Sequence, residues 1–201
     1  SNRLVGNSGA NVLDGGLGVD TLAGGTGDDT YLVDNVSDVV TELVNEGTDT
    51  VQSTVTYTLG ANLEHLTLSG TDAINGTGNS LSNRLVGNSG ANVLTGGMGN
   101  DTYYVGVGDT VMENATEGTD LVMSDVSWAL GANLEYLTLS GTAAINGTGN
   151  ALNNTLRGNS EANVLAGGTG NDTYYAGAGD TILENASEGT DLVVSDVPWA
   201  L

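Results

Sequence analysis

Aspartate recurs in this chain on a nine-residue beat, and each time glycines precede it. Asp20 follows Gly15, Gly16 and Gly18, and Asp29 follows Gly24, Gly25 and Gly27. The same arrangement returns as Gly96, Gly97 and Gly99 before Asp101, and as Gly167, Gly168 and Gly170 before Asp172. Carboxylates are hard oxygen donors, and glycine corners leave backbone carbonyls uncovered. Ca²⁺ suits that combination, since it takes roughly six to eight oxygens at about 2.3–2.6 Å and accepts carbonyls alongside carboxylates. One corner cannot fill such a shell. Two corners stacked on neighbouring coils can, which makes the partner of each aspartate as important as the aspartate itself.

Those partners should lie eighteen residues away. Asp20 is expected to face Asp38, which joins the candidate ligands although Val33–Asp38 lacks the glycines, and Asp29 is expected to face Asn11. The expected partners of Asp101 and Asp172 are Asn83 and Asn154, leaving one carboxylate in place of two and predicting weaker binding or none. Stacked asparagines can instead hydrogen-bond up the stack as an amide ladder that needs no metal. The recurring Glu-Gly-Thr-Asp at Glu46, Glu117 and Glu188 reads as the solvated start of a strand, with a cation held by its paired acids as the alternative.

The elements that must place these residues follow from the same beat. Asn2, Asn11, Asp20, Asp29 and Asp38 stand nine apart, and a large apolar residue follows shortly, as at Leu13, Leu22, Tyr31, Leu94, Tyr103 and Tyr174. A period of nine fits neither a helix face nor a simple meander. It fits a short strand plus a six-residue turn, so that two nonapeptides close one coil of a solenoid. Longer repeats sit above this one: SNRLVGNSGANVL at Ser1 recurs word for word at Ser82 and with changes at Asn153. Three modules are therefore expected, residues 1–81, 82–152 and a truncated 153–201, together one continuous solenoid and a piece of a longer array. Between nonapeptide blocks, segments such as Gly108 to Gly141 alternate β-formers with polar residues and read as irregular coils of that solenoid. A separate small β domain is the alternative. Tyr103, Tyr104, Tyr174, Tyr175, Trp128 and Trp199 read as coil packing and edge cover.

Composition narrows the function. Twenty-five acids against three arginines give a net charge of −22, with no cysteine and 32 glycines in 201 residues. Such a chain repels nucleic acid and anionic membrane surfaces and attracts cations. Without cysteine there is no thiolate metal site, thiol catalysis or disulfide. No stretch is apolar enough to span a membrane as a helix, and the first residues lack the pattern of a signal peptide, so an export address is expected outside this sequence. Catalysis finds no support: His65 is the single histidine, its repeat equivalent is Tyr136, and neither a G-x-S-x-G elbow nor a lysine base occurs. The chain is not expected to be an enzyme.

The pattern G-G-x-G-x-D-x-U-x, with U a large apolar residue, is met from Gly15, Gly24, Gly96 and Gly167. It resembles the hemolysin-type calcium-binding repeats of RTX proteins. The resemblance implies an all-β, right-handed parallel β-roll or β-solenoid with Ca²⁺ in its turns, and export by a type I route with a C-terminal signal. The expected function is a calcium-binding structural repeat region of a secreted or cell-surface bacterial protein that folds on binding Ca²⁺. Its expected partners are calcium ions, with self-association or contact with extracellular matrix or glycan open and no insertion into membranes. Two other readings remain at this point: a carbohydrate- or ice-binding module using the threonine-bearing strands TVTYTLG and LTLSGT, and an accessory domain of a secreted enzyme or toxin.

Overall fold

Strand formers in this chain come in threes and fours between Gly, Asn and Asp, which leaves room only for short strands. A computed structural model of the protein describes residues 1–195 and 197, and Trp199 lies outside the described residues. Among them every regular element is a strand of two to four residues, and no helix long and apolar enough to cross a membrane occurs. The strands pair in parallel and wind a β-solenoid. The chain forms two compact units, residues 1–103 with 107–112, and residues 104–106 with 113–201.

In the first unit, Val12–Asp14, Thr30–Val33, Thr50–Ser53, His65–Leu68 and Arg84–Val86 lie side by side in chain order. Val12 faces Thr30, eighteen residues on, as the nonapeptide beat requires. Thr30 faces Thr50, Thr50 faces His65, and His65 faces Arg84, so the following coils take 20, 15 and 19 residues. The segment after Tyr31 is thus wound into the same ladder, and a separate small β domain is excluded for it.

Parallel register stacks like positions. Leu13, Tyr31, Val51, Leu66 and Leu85 form one column, each at most 4% exposed. Burying such a side chain contributes roughly 1.5–3 kcal/mol, so this single file is a main source of cohesion between coils. A second wall carries Leu22 and Val40, and further along Tyr57, Gly76, Leu94 and Val111. Gly76 has no side chain because one would press on Leu66 and Leu94, 3.0 and 3.2 Å away.

The second unit repeats the plan. Leu121–Ser124, Tyr136–Leu139, Thr155–Arg157, Thr173–Ala176 and Leu192–Ser195 stack Val122, Leu137, Leu156, Tyr174 and Val193. Tyr174 is buried, whereas Tyr175 faces outward and carries the Arg157 guanidinium 4.5 Å from its ring centre. The paired tyrosines therefore do different work, one as core and one as surface.

Candidate metal centres

Each aspartate of the glycine motif sits on the last residue before a strand, at the inner edge of a corner. Asp20, Asp29, Asp101 and Asp172 are all 1% exposed. One oxygen of each accepts a backbone N–H from the preceding coil: Asn11 to Asp29 Oδ1 at 2.7 Å, Asn83 to Asp101 at 2.6 Å, Asn154 to Asp172 at 2.6 Å, and Asn2 to Asp20. The eighteen-residue partners are thereby brought together, Asp20 donating its own N–H to Asp38 Oδ1 at 2.9 Å. The second oxygen behaves differently. In Asp20, Asp29 and Asp172, Oδ2 is buried with no hydrogen-bond partner.

The glycines explain where that second oxygen lies. A side chain on Gly24 would collide with Asp29 Oδ2 and the Tyr31 hydroxyl, and Gly15, Gly96 and Gly167 bear the same relation to Asp20, Asp101 and Asp172. The first glycine of the motif is a seat for the carboxylate. The next two serve the turn: Gly25 and Gly27 take φ of 95° and 116°, which a side chain resists, and a side chain on either would press on the corner beneath at Asn7, Gly9 and Ala10. Gly16, Gly18, Gly97, Gly99, Gly168 and Gly170 share that left-handed backbone.

The asparagine corners satisfy themselves. Asn83 Oδ1 accepts the Asn79 N–H of its own turn at 2.7 Å, while Nδ2 donates to the Leu63 carbonyl one coil back at 3.0 Å. Asn154 repeats this with Asn150 and Leu134. Asp38 is similarly occupied, its Oδ2 accepting the Asn35 N–H at 3.2 Å.

Two further carboxylates gather at Asp29. Oxygens of Asp29, Glu42 and Asp49 all lie within 4.8 Å of one another, and all three residues are buried. Neither oxygen of Glu42 has a hydrogen-bond partner, nor does Asp49 Oδ2. Asp49 arrives because it precedes the strand that pairs with the one after Asp29, and it accepts the Asp29 N–H at 2.7 Å. Glu42 comes from the same lengthened coil. In the second unit Asp172, Glu184 and Asp191 make the same group, with the Tyr174 hydroxyl donating to Glu184.

This crowding opposes ionisation. Burial, then the charges of Asp49 and Glu46, push the Glu42 carboxyl from 4.5 up to about 7, against a smaller lowering influence of the nearby Gly24 backbone, whose N–H is donated to the Tyr31 hydroxyl. Burial also raises Asp49, Asp172 and Glu184, and it raises the Tyr174 hydroxyl, which additionally faces Glu184. Glu188 moves the other way, held ionised by hydrogen bonds from Asn185.

Two expectations from the sequence change here. Asp172 is not a lone carboxylate, because its additional acids come from the following coil and not from the Asn154 side. The aspartate of Glu-Gly-Thr-Asp is not solvated at Asp49, which is 1% exposed. Glu46 does stay at the surface, accepting the Leu43 N–H at 2.8 Å. The missed residues had a signal: Glu and Asp separated by six residues follow the motif three times, as Glu42 and Asp49, Glu113 and Asp120, and Glu184 and Asp191.

Residues 1–31, 77–112 and 148–183 match the family model of the RTX calcium-binding nonapeptide repeat, described as four copies. No curated protein and no solved structure matches the chain.

Proposed function

The chain belongs to the RTX calcium-binding nonapeptide-repeat family, and from that premise we propose that it is a calcium-dependent structural module of a secreted or cell-surface bacterial protein, completing its fold on binding Ca²⁺. One observation carries the reading: the motif aspartates are buried with one oxygen committed to the neighbouring coil and, in Asp20, Asp29 and Asp172, the other left without a proton donor. Burying a polar atom without a partner costs about 1–3 kcal/mol, more when it is charged. A cation removes that cost.

Asp20 and Asp29 would hold the ion from the corner, with carbonyls of the glycine turns close by and the preceding coil fixed through the Asn2 and Asn11 N–H groups. Bound Ca²⁺ supplies positive charge and a demand for many oxygens, which couples its binding free energy to folding. The carboxylates do the joining, since each already spans two coils. Extracellular modules of this chemistry bind at roughly 10⁻⁴–10⁻³ M. A chain tuned to that range stays loose inside a cell and sets outside it. Self-association, through exposed strand edges, belongs to the same reading.

Circular dichroism during a calcium titration, with magnesium as control, tests it. β-structure should grow with Ca²⁺, and Asp20→Ala should lower the calcium response more than Asn92→Ala. A protein already fully β-structured in chelator refutes coupled folding.

A further inference from the structure

The glycine corners do not account for Glu42. This residue lies outside every nonapeptide, is 5% exposed, and has two partnerless oxygens, one of them within 4.8 Å of oxygens of Asp29 and Asp49. A buried glutamate without a donor is not a structural hydrogen-bonding device, and with two acids beside it it is not a salt bridge. We propose that Asp29, Glu42 and Asp49 form a second kind of divalent-cation site, built from side-chain carboxylates of two consecutive coils, and that Asp172, Glu184 and Asp191 form its counterpart.

Geometry supports one ion held by all three groups. Oxygens on a shell of about 2.4 Å radius can be at most about 4.8 Å apart, and the three carboxylates meet that limit. One divalent ion lowers the charge of the three carboxylates from −3 to −1, relieving a group that is strongly self-repelling when bare. With no histidine in the group, the donor set is purely oxygen and favours hard cations. Between these, Ca²⁺ fits better than Mg²⁺. Four oxygens of the group are partnerless, Asp29 Oδ2, both of Glu42 and Asp49 Oδ2, a flexible set that Ca²⁺ accepts and supplements with carbonyls, whereas Mg²⁺ demands near-ideal octahedral geometry and gives up its waters reluctantly. The Tyr31 hydroxyl lies at the same seat over Gly24 as Asp29 Oδ2, so an aromatic reporter is built in.

The corners and this group share Asp29 and Asp172, and the preference for calcium rests on the reading above. Asp20 belongs to a corner alone, which separates the two. The test is calcium stoichiometry by calorimetry on the whole chain, with Tb³⁺ emission excited through tyrosine, for Glu42→Gln, Asp20→Asn and the surface control Glu46→Gln. Glu42→Gln should lose one ion per chain, lower the tyrosine-sensitised emission, and melt higher than the parent in chelator because a repulsive charge is gone. A merely structural glutamate would melt lower in chelator and keep the ion. If Glu42→Gln binds as many ions as the parent with equal emission, the second site is refuted, whatever Asp20→Asn does. If Asp20→Asn alone keeps full stoichiometry while Glu42→Gln loses an ion, the second site stands and the corner reading at Asp20 falls.

Discussion

Acid should stabilise the metal-free protein and destabilise the calcium-loaded one. The magnitude comes from Glu42. Its carboxyl is raised from 4.5 to about 7 in the folded chain, chiefly by burial and then by Asp49 and Glu46. Because the folded state holds the proton more tightly than the unfolded state, stability is greatest below about 4.5 and is lost as pH rises toward 7. Each unit of displacement is worth about 1.4 kcal/mol, which makes roughly 3.5 kcal/mol an upper bound for this one group. Asp49, Glu184 and Asp172 are raised as well and add in the same direction. Urea unfolding in EDTA at pH 5, 6, 7 and 8 measures the slope. Glu42→Gln should make it shallower, since glutamine does not titrate, and leave the part contributed by Asp49, Glu184 and Asp172. With saturating calcium the sign reverses, because protons and the ion compete for the same oxygens. Metal-free stability that is flat or rises across this range would refute the reasoning, and so would a slope that Glu42→Gln leaves unchanged.

Three other substitutions separate the parts of a corner. Gly24→Ala places a methyl group against Asp29 Oδ2 and the Tyr31 hydroxyl, so it should lower the melting temperature in calcium and weaken calcium binding, whereas Gly9→Ala, whose methyl would meet only Asn7 Oδ1 at 3.5 Å, should do neither. Tyr31→Phe removes the acceptor of the Gly24 N–H, a buried bond of 2.7 Å, and should cost about 1–3 kcal/mol by chemical denaturation. Asn83→Ala removes an acceptor in its own turn and donors to the coil beneath, and should cost about 2 kcal/mol equally with and without calcium, a difference in calcium affinity being the result that would contradict the ladder.

The corners were legible from the sequence because their chemistry is written locally. A carboxylate needs a seat, a tight turn needs left-handed residues, and Gly15 to Asp20 state both within six positions. The solenoid was legible for a related reason, since a nine-residue beat with one large apolar residue per unit stacks Leu13 on Tyr31 and nothing else. Glu42 was not, and Asp49 was legible only as the lesser alternative for Glu-Gly-Thr-Asp. A solvated acid and a caged acid are the same letter, and what buries these two is the pairing of Thr30 with Thr50 across a coil of 20 residues, two longer than the eighteen of two beats. That length is decided by how the loop before Asp49 closes, which strand periodicity does not report.

The alternation of asparagine and aspartate corners has a physical rationale that ties these parts together. Neighbouring strands lie about 4.8 Å apart, so aspartate at the same corner of every coil would stack charges at that spacing. At an effective dielectric constant near 20, each adjacent pair would repel by roughly 3.5 kcal/mol. Asn11 beneath Asp29 and Asn154 beneath Asp172 interrupt the stack with an uncharged group whose backbone N–H caps the aspartate above it. Crowding is then confined to the side of each aspartate facing the following coil, where Glu42 with Asp49, and Glu184 with Asp191, concentrate it. Negative charge is pooled where a cation can neutralise it and excluded where amides already close the hydrogen bonds, so under the proposed function the joints between coils would be of two kinds, one dependent on metal and one indifferent to it.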